Sequence, residues 1–586
     1  MKTLTNMRNK TKGLFMHSLI ILMALAGTGF TGMPSSPKGS EPPGDSTRVL
    51  TVDFTKKSGK MNPMWAYVGY DEGNYTYLPE SKKLMKDLVK LSQGPVYVRA
   101  HNLLNTHEGS PMALKWGSTN AYTEDKDGKP VYNWTLVDKI VDTWVNLGIK
   151  PLMEIGFMPK ALSAKPDPYR HHWKPGDPYS DIWTGWAYPP DNYDKWEALI
   201  YEWVTHSVKR YGAKEVESWW WQLWNEPDAG YWAGTNEEYF KLYDYTVKAV
   251  KRALPTARVG GPNVTGALSK SQAKFLTDFL EHCRSGKNYA TGKQGTAIDF
   301  LGFHAKGAPR VTDEGHVQMG LSTHLKQIDA AFRIIKSFPE FAQLPVIIGE
   351  SDPEGCAACS SNSGYSNMAY RNGTLFSSYF AESFAKKYEL AARHNINLEG
   401  AVSWTFTFPG QPWFDGFRSF ATHGIAKPVL NVLRMLGLMT GDRVEVKGPS
   451  PYTLDKIMES GISGTSDING MASRDSKSAA VMVWNYNDED TYFEPAKVSL
   501  DLKGIPASRV LLHHYRIDEE TSNAYTTWRK MGAPQQVTRD QYRELEKTSG
   551  LTLWESPEWI EVKEGQAQID FVLPGQGVSL VTLTWQ

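Results

Sequence analysis

The stretch Trp219-Trp-Trp-Gln-Leu-Trp-Asn-Glu-Pro-Asp-Ala-Gly-Tyr-Trp232 sets an apolar, aromatic run directly against Asn225, Glu226, Pro227 and Asp228. A short run of this kind reads as a strand buried on both faces, as in a parallel sheet, where an ionised carboxylate is costly unless it is paired or employed. Pro227 has no N–H to give a ladder, so the strand is expected to stop there and hold Glu226 at its rim. Leu223 and Trp224 limit solvation, which is expected to raise the Glu226 pKa and suit it to a general acid. Asn225 can donate an amide hydrogen bond to a ligand.

The pattern repeats outward from this stretch. Leu344-Pro-Val-Ile-Ile-Gly-Glu350 is a second apolar run that ends on an acid. Val96-Tyr-Val-Arg99 leads to His101, Lys150-Pro-Leu-Met-Glu-Ile155 carries Glu154, Phe300-Leu-Gly-Phe-His304 ends on His304, and Gly400-Ala-Val-Ser-Trp404 ends on Trp404. Amphipathic helices intervene, among them residues 193–211 and 237–254. Such alternation indicates a parallel α/β fold. Polar groups at successive strand ends select a (β/α)8 TIM barrel, whose C-terminal strand ends share one mouth, over a doubly wound sheet, whose glycine-rich phosphate loop is missing. After Lys427-Pro428 the runs 479–484, 509–515 and 578–585 indicate a C-terminal β-sandwich. The expected organisation is a catalytic barrel over 48–435, with 48–60 a candidate to join the sandwich, and the sandwich itself over 436–586.

The 586 residues carry 64 basic and 64 acidic side chains, so no global field favours nucleic acid or an anionic membrane. Aromatics make up 12% with 21 Trp, which suits sugar stacking and core packing alike. Lys2, Arg8, Lys10 and Lys12 precede the apolar Ser18–Ala26 and small residues through Gly32. This pattern resembles a secretory signal over 1–33, followed by a Pro/Ser/Gly linker over 34–47. The apolar run is too short for a membrane span, so a protein exported by signal peptide, secreted or periplasmic, is expected. Three cysteines exclude a disulfide scaffold; Cys356-Ala-Ala-Cys359 is open to a small disulfide loop, a metal site or two thiols. No HExxH or comparable ligand spacing occurs among the 14 His, so neither metal nor cofactor is expected.

Glu226 and Glu350 lie far enough apart in the chain for about three β/α units, so they can face each other across one mouth. Two such carboxylates about 5 Å apart are what a retaining glycosidase needs, one to protonate the leaving oxygen and one to attack the anomeric carbon. A non-catalytic carbohydrate-binding barrel would need neither glutamate.

Trp224-Asn-Glu-Pro227 resembles the acid/base motif of the clan A glycosidase barrels, and the wider sequence is similar to glycoside hydrolase family 39, which holds β-xylosidases and α-L-iduronidases. The similarity includes Glu154-Ile-Gly-Phe-Met-Pro-Lys-Ala-Leu162, Tyr188–Trp196, Val259-Gly-Gly-Pro262 and Trp528-Arg-Lys-Met-Gly-Ala-Pro534. The resemblance implies Glu226 as acid/base, Glu350 as nucleophile, Asn225 on the hydroxyl next to the anomeric carbon, and His101 and His304 lining the sugar pocket. Trp404 is a further candidate for substrate contact at a strand end. Asp228, His304-Ala-Lys306-Gly307 and Glu350-Ser-Asp-Pro-Glu-Gly-Cys356 depart from the xylosidase pattern, the latter two toward the iduronidase branch. A β-D-xyloside and an α-L-iduronide share configuration from C1 to C4, and only the uronide carries a carboxylate at C5. Lys306 and Arg418 are the cations placed to meet one. The longer similarity makes a β-xylosidase releasing terminal sugars from oligosaccharides the expected activity, with an α-L-iduronidase-like hydrolase as the alternative.

Overall fold

The computed structural model describes residues 47–106, 118–166, 185–356, 359–361, 366–405 and 410–585. The expected signal peptide and linker lie outside the described residues, apart from residue 47. Among the described residues no helix is long and apolar enough to cross a membrane.

Parallel strands run in the spatial order Leu398–Ala401, Val346–Glu350, Phe300–His304, Arg258–Val264, Trp220–Leu223, Lys150–Ile155, Tyr97–Ala100, Tyr67–Tyr70 and Ser403–Trp404. The two ends of this path are one strand interrupted at Val402, since Leu398–Ala401 pairs with the seventh strand and Ser403–Trp404 with the first. The sheet is thereby nearly closed, with eight strands in chain order. Helices Pro79–Leu88, Thr135–Asn146, Tyr193–Tyr211, Asn236–Ala253, Lys270–Ser285, Leu321–Lys336, Thr374–His394 and Pro428–Gly437 follow the strands in turn. The chain is therefore a (β/α)8 barrel, as its alternating pattern implies. The expected boundary at 435 falls within the last of these helices.

Alternation along each strand sorts side chains between barrel interior and helix layer. Tyr67, Tyr97, Leu152, Trp220, Phe300, Ile347 and Val402, one from each strand but the fifth, fill the interior floor. The fifth contributes Gly260, where a Cβ would meet the Phe300 carbonyl oxygen at 2.2 Å, so the aromatic floor closes only with glycine there. Trp219 and Trp221 face the other way, Trp221 packing edge-on against Trp203 with ring centroids 5.5 Å apart. The tryptophan triplet is thus core on both sides of the sheet rather than a sugar platform.

The C-terminal domain is one ten-stranded mixed sheet curled around its own apolar core. Its interior holds a strand that precedes the barrel: Arg48–Lys60 pairs antiparallel with Asp442–Lys447 and parallel with Ala496–Lys503.

Candidate active site

Two residues above the aromatic floor the interior turns polar, with Arg99, Glu154 and Gln222 all fully buried. Arg99 organises this layer. It donates to Gln222 Oε1 at 3.1 Å and Asn225 Oδ1 at 3.0 Å, and lies 2.6 Å from Glu154 and 3.3 Å from Glu350. Glu154, also 2.6 Å from His101 Nδ1, is the carboxylate that balances it beneath the mouth.

The fourth strand ends at Leu223, four residues before Pro227. Trp224 stops it, with φ at 63°, and Glu226 follows with φ at 46°, both in the left-handed region that costs a bulky residue of order 1–3 kcal/mol. Trp224 is held there by its indole N–H, 2.9 Å from the Tyr231 carbonyl, and by edge contacts with Phe157 and Trp232. The reversal turns Asn225 and Glu226 into the mouth. Asp228 belongs to the scaffold, accepting from the Thr265 N–H at 2.8 Å and hydroxyl at 2.6 Å.

Glu226 Oε1 accepts from His304 Nδ1 at 2.8 Å and from Lys306 Nζ at 2.6 Å. The same ammonium lies 2.8 Å from Glu350 Oε2. One oxygen of each glutamate and one ring nitrogen of His304 lie within 4.8 Å of one another. On distance alone that trio would accept a divalent ion, but the Lys306 ammonium already stands between the carboxylates. Burial by itself raises Glu226, yet Lys306 and His304 outweigh it and hold the carboxyl down to about 2. The raised acidity threshold expected from apolar neighbours is thus corrected: Leu223 and Trp224 are adjacent, and the lysine decides. Glu350 is likewise held well below the carboxylate range against its burial, chiefly by Lys306 and then His304. Burial opposes the charge of Lys306, but the two glutamates more than compensate and raise its pKa.

Burial lowers His101, but Glu154 and Glu350 together more than offset it and Arg99 and raise it to about 9. Its ring packs on Trp404 with centroids 4.8 Å apart. Trp404 reaches this position because Gly69 faces it across the closing pair of strands, where a Cβ would meet the indole at 2.3 Å. Arg418 is placed differently from the other expected residues. Fully buried, it lies 3.5 Å from Asp352 and 3.6 Å from the Glu354 side chain, and donates to the Glu354 carbonyl oxygen, within the segment that follows Glu350. Arg371 secures the same segment through Glu354 at 2.6 Å and the carbonyls of Cys356 and Cys359. Cys356 and Cys359 form a disulfide, which resolves the three readings of that pair.

One acid at this mouth escaped sequence reading. Asp71 directly follows the first strand, and its Oδ2 accepts from the Trp404 indole N–H at 3.1 Å. The signal is the one that singled out the glutamates, an apolar run closing on an acid, but Tyr67-Val-Gly-Tyr70 is too short to register as a strand beside the longer runs.

The family model for glycosyl hydrolases family 39 matches residues 48–553. A β-xylosidase of Caldicellulosiruptor saccharolyticus is 27% identical over 547 residues, covering 91% of this chain and 98% of that one. The α-L-iduronidase of Mus musculus is 24% identical over 60% of this chain and 56% of its own. Among solved structures, a monomeric β-xylosidase from Caulobacter crescentus CB15 superposes with a TM-score of 0.71 at 21% identity, covering 92% of this chain and 99% of that one. With the barrel, the paired strand-end glutamates and a match over most of its length, this chain belongs to glycosyl hydrolases family 39, and it is a glycosidase.

Proposed function

We propose that the protein is a retaining exo-glycosidase acting on terminal β-D-xylosides. The observation that carries the reading is the approach of one Glu226 oxygen and one Glu350 oxygen to within 4.8 Å, room for an anomeric carbon and its leaving oxygen but not for an additional water between carboxylates. Glu350, kept ionised, is the nucleophile. Glu226 is the acid/base, with Asn225 beside it for the neighbouring hydroxyl. A sugar entering between the glutamates displaces the Lys306 ammonium from its shared position; burial then governs Glu226 and raises its pKa, which is when a proton is needed. The near full-length similarity to a β-xylosidase supports xylose as the sugar.

Lys306 favours a second reading. Its ammonium, 18% exposed, is a cation inside the sugar pocket, and once displaced from the glutamates it can meet a C5 carboxylate, as an α-L-iduronide would require. The test is wild-type kcat/KM on an aryl β-D-xyloside and an aryl α-L-iduronide, with the product anomer followed by NMR. Retained configuration and preference for the xyloside support the first reading. Preference for the iduronide installs the second, and inversion removes Glu350 from the role of nucleophile. We further propose export through the basic and apolar N-terminal segment, on the sequence pattern alone; N-terminal sequencing of the secreted protein tests it.

A further inference from the structure

We propose that Asp71 determines specificity in the sugar pocket by accepting a hydrogen bond from a substrate ring hydroxyl remote from the anomeric carbon, at C3 or C4. The inference rests on the glycosidase reading above. Asp71 stands at the same strand-end mouth as Glu226 and Glu350, its side chain 14% exposed against 7% for Glu350. Its two oxygens are in different situations. Oδ2 is taken by the Trp404 indole at 3.1 Å, while Oδ1 lies 3.5 Å from His101 Nε2, beyond a good hydrogen bond. His101 Nε2 is also 3.5 Å from Glu350 Oε1, and its other nitrogen is engaged by Glu154 at 2.6 Å. A donor and an acceptor therefore face each other across a gap that neither closes. A sugar hydroxyl is the group that satisfies both, accepting from His101 Nε2–H and donating to Asp71 Oδ1.

Because His101 stands between Asp71 and the nucleophile, the hydroxyl is one away from the reacting carbon. A purely structural duty for the carboxylate is already discharged by Oδ2, and the local loop is tied by the Asp71 backbone carbonyl, which accepts from Asn102 Nδ2 at 3.2 Å. Burial raises the Asp71 carboxyl to about 7, with His101 pulling it back and Glu350 adding to the rise. Above about pH 7, where it is ionised and where the comparison is made, this poorly solvated acceptor punishes a substrate that leaves it unpartnered.

Asp71→Asn keeps the shape and can still accept from the indole, but presents an NH2 where Oδ1 accepted. The experiment compares kcat/KM for whichever aryl glycoside wild type turns over with its 3-deoxy and 4-deoxy congeners, in wild type and in Asp71→Asn. Wild type is expected to lose at least about tenfold on one congener. In the variant the parent falls toward that congener and the gap narrows to within about threefold. Equal losses on parent and congeners in the variant reduce Asp71 to scaffold and overturn the proposal. Absence of discrimination in wild type overturns it without recourse to a variant that must fold. Wild type inactive on both parent glycosides defeats the functional reading, and this one with it.

Discussion

Replacing Lys306 by Met tests how the site manages its two acids. In the free protein the ammonium lies 2.6 Å from Glu226 and 2.8 Å from Glu350, and Glu226 is held to about 2 although burial opposes it. At pH 5 a carboxyl titrating there is protonated in about one molecule in a thousand. Methionine removes the largest influence that lowers it, so Glu226 moves upward, to the ordinary value of 4.5 or beyond because burial and Glu350 both push that way. That move corresponds to roughly 3–4 kcal/mol at about 1.4 kcal/mol per pH unit. The pair titrates together, so the observable is its upper apparent pKa, which sets the basic limb of the pH profile. In wild type the limb for kcat/KM, reporting free protein, is expected well below the limb for kcat, reporting the complex from which the sugar has displaced Lys306. In Lys306→Met the two limbs converge, the kcat/KM limb rising by at least about 2 pH units. The assay is steady-state hydrolysis of an aryl glycoside from pH 3 to 8, where wild-type kcat/KM should already be falling at pH 3 and the Lys306→Met profile should hold a plateau to about pH 4.5; profile shape is read because absolute rates also carry any loss of substrate contact. A kcat/KM limb that stays put, or falls, refutes the argument that this lysine governs Glu226.

Glu226→Ala is expected to lower kcat by about 10²–10⁴ on glycosides with poor leaving groups and far less on activated aryl glycosides, which need little protonation; equal losses would remove Glu226 from the acid role. Arg371→Ala removes the nearest cation of Glu354, which keeps Arg418 and the Tyr370 hydroxyl, and takes a buried donor from the Cys356 and Cys359 carbonyls; it should cost about 1–3 kcal/mol in urea unfolding, and no measurable change would contradict the pairing. Glu382, buried under the C-terminal sheet with the Trp484 indole donating to it, is raised to about 8 by burial and by Asp467. Between the unfolded value of 4.5 and about 8 the native state keeps a proton that the unfolded chain has released, so this group's stabilisation is full at low pH and lost as pH rises through that window. Glu382→Gln should therefore raise Tm at pH 8 relative to wild type more than at pH 5, and a uniform shift would show that the group does not titrate.

The barrel was legible because six of its strands are short apolar runs that finish on polar groups, and a period-two alternation places those groups on the inner face. The strand Tyr67–Tyr70 was not, since four residues containing a glycine carry little signal, and Asp71 was lost with it. The strand-end positions of both glutamates were legible, but for Glu226 the reason differs from the reading. Pro227 suggested the stop, whereas the chain turns at Trp224 in a left-handed conformation that a bulky residue does not advertise. Lys306 was visible as a cation two residues past a strand end. Its bridging of both carboxylates was not, because that depends on strands brought together from 226, 306 and 350. Arg418 was visible as a cation after the last strand; its engagement by Asp352 and Glu354 was not.

Threading Arg48–Lys60 through the middle of the C-terminal sheet imposes an order on biosynthesis. The ribosome emits this segment before any barrel strand, yet Val52 finds its partner Val446, and Leu50 its partner Leu500, only after the whole barrel has been made. Until then a strand with unpaired N–H and C=O groups on both edges must wait, exposed to wrong pairing. A domain translated after the barrel is completed by a strand translated before it. Excising the C-terminal residues as an independent unit would leave a slot down the centre of its sheet, and a synthetic peptide spanning 48–60 is the natural plug for it.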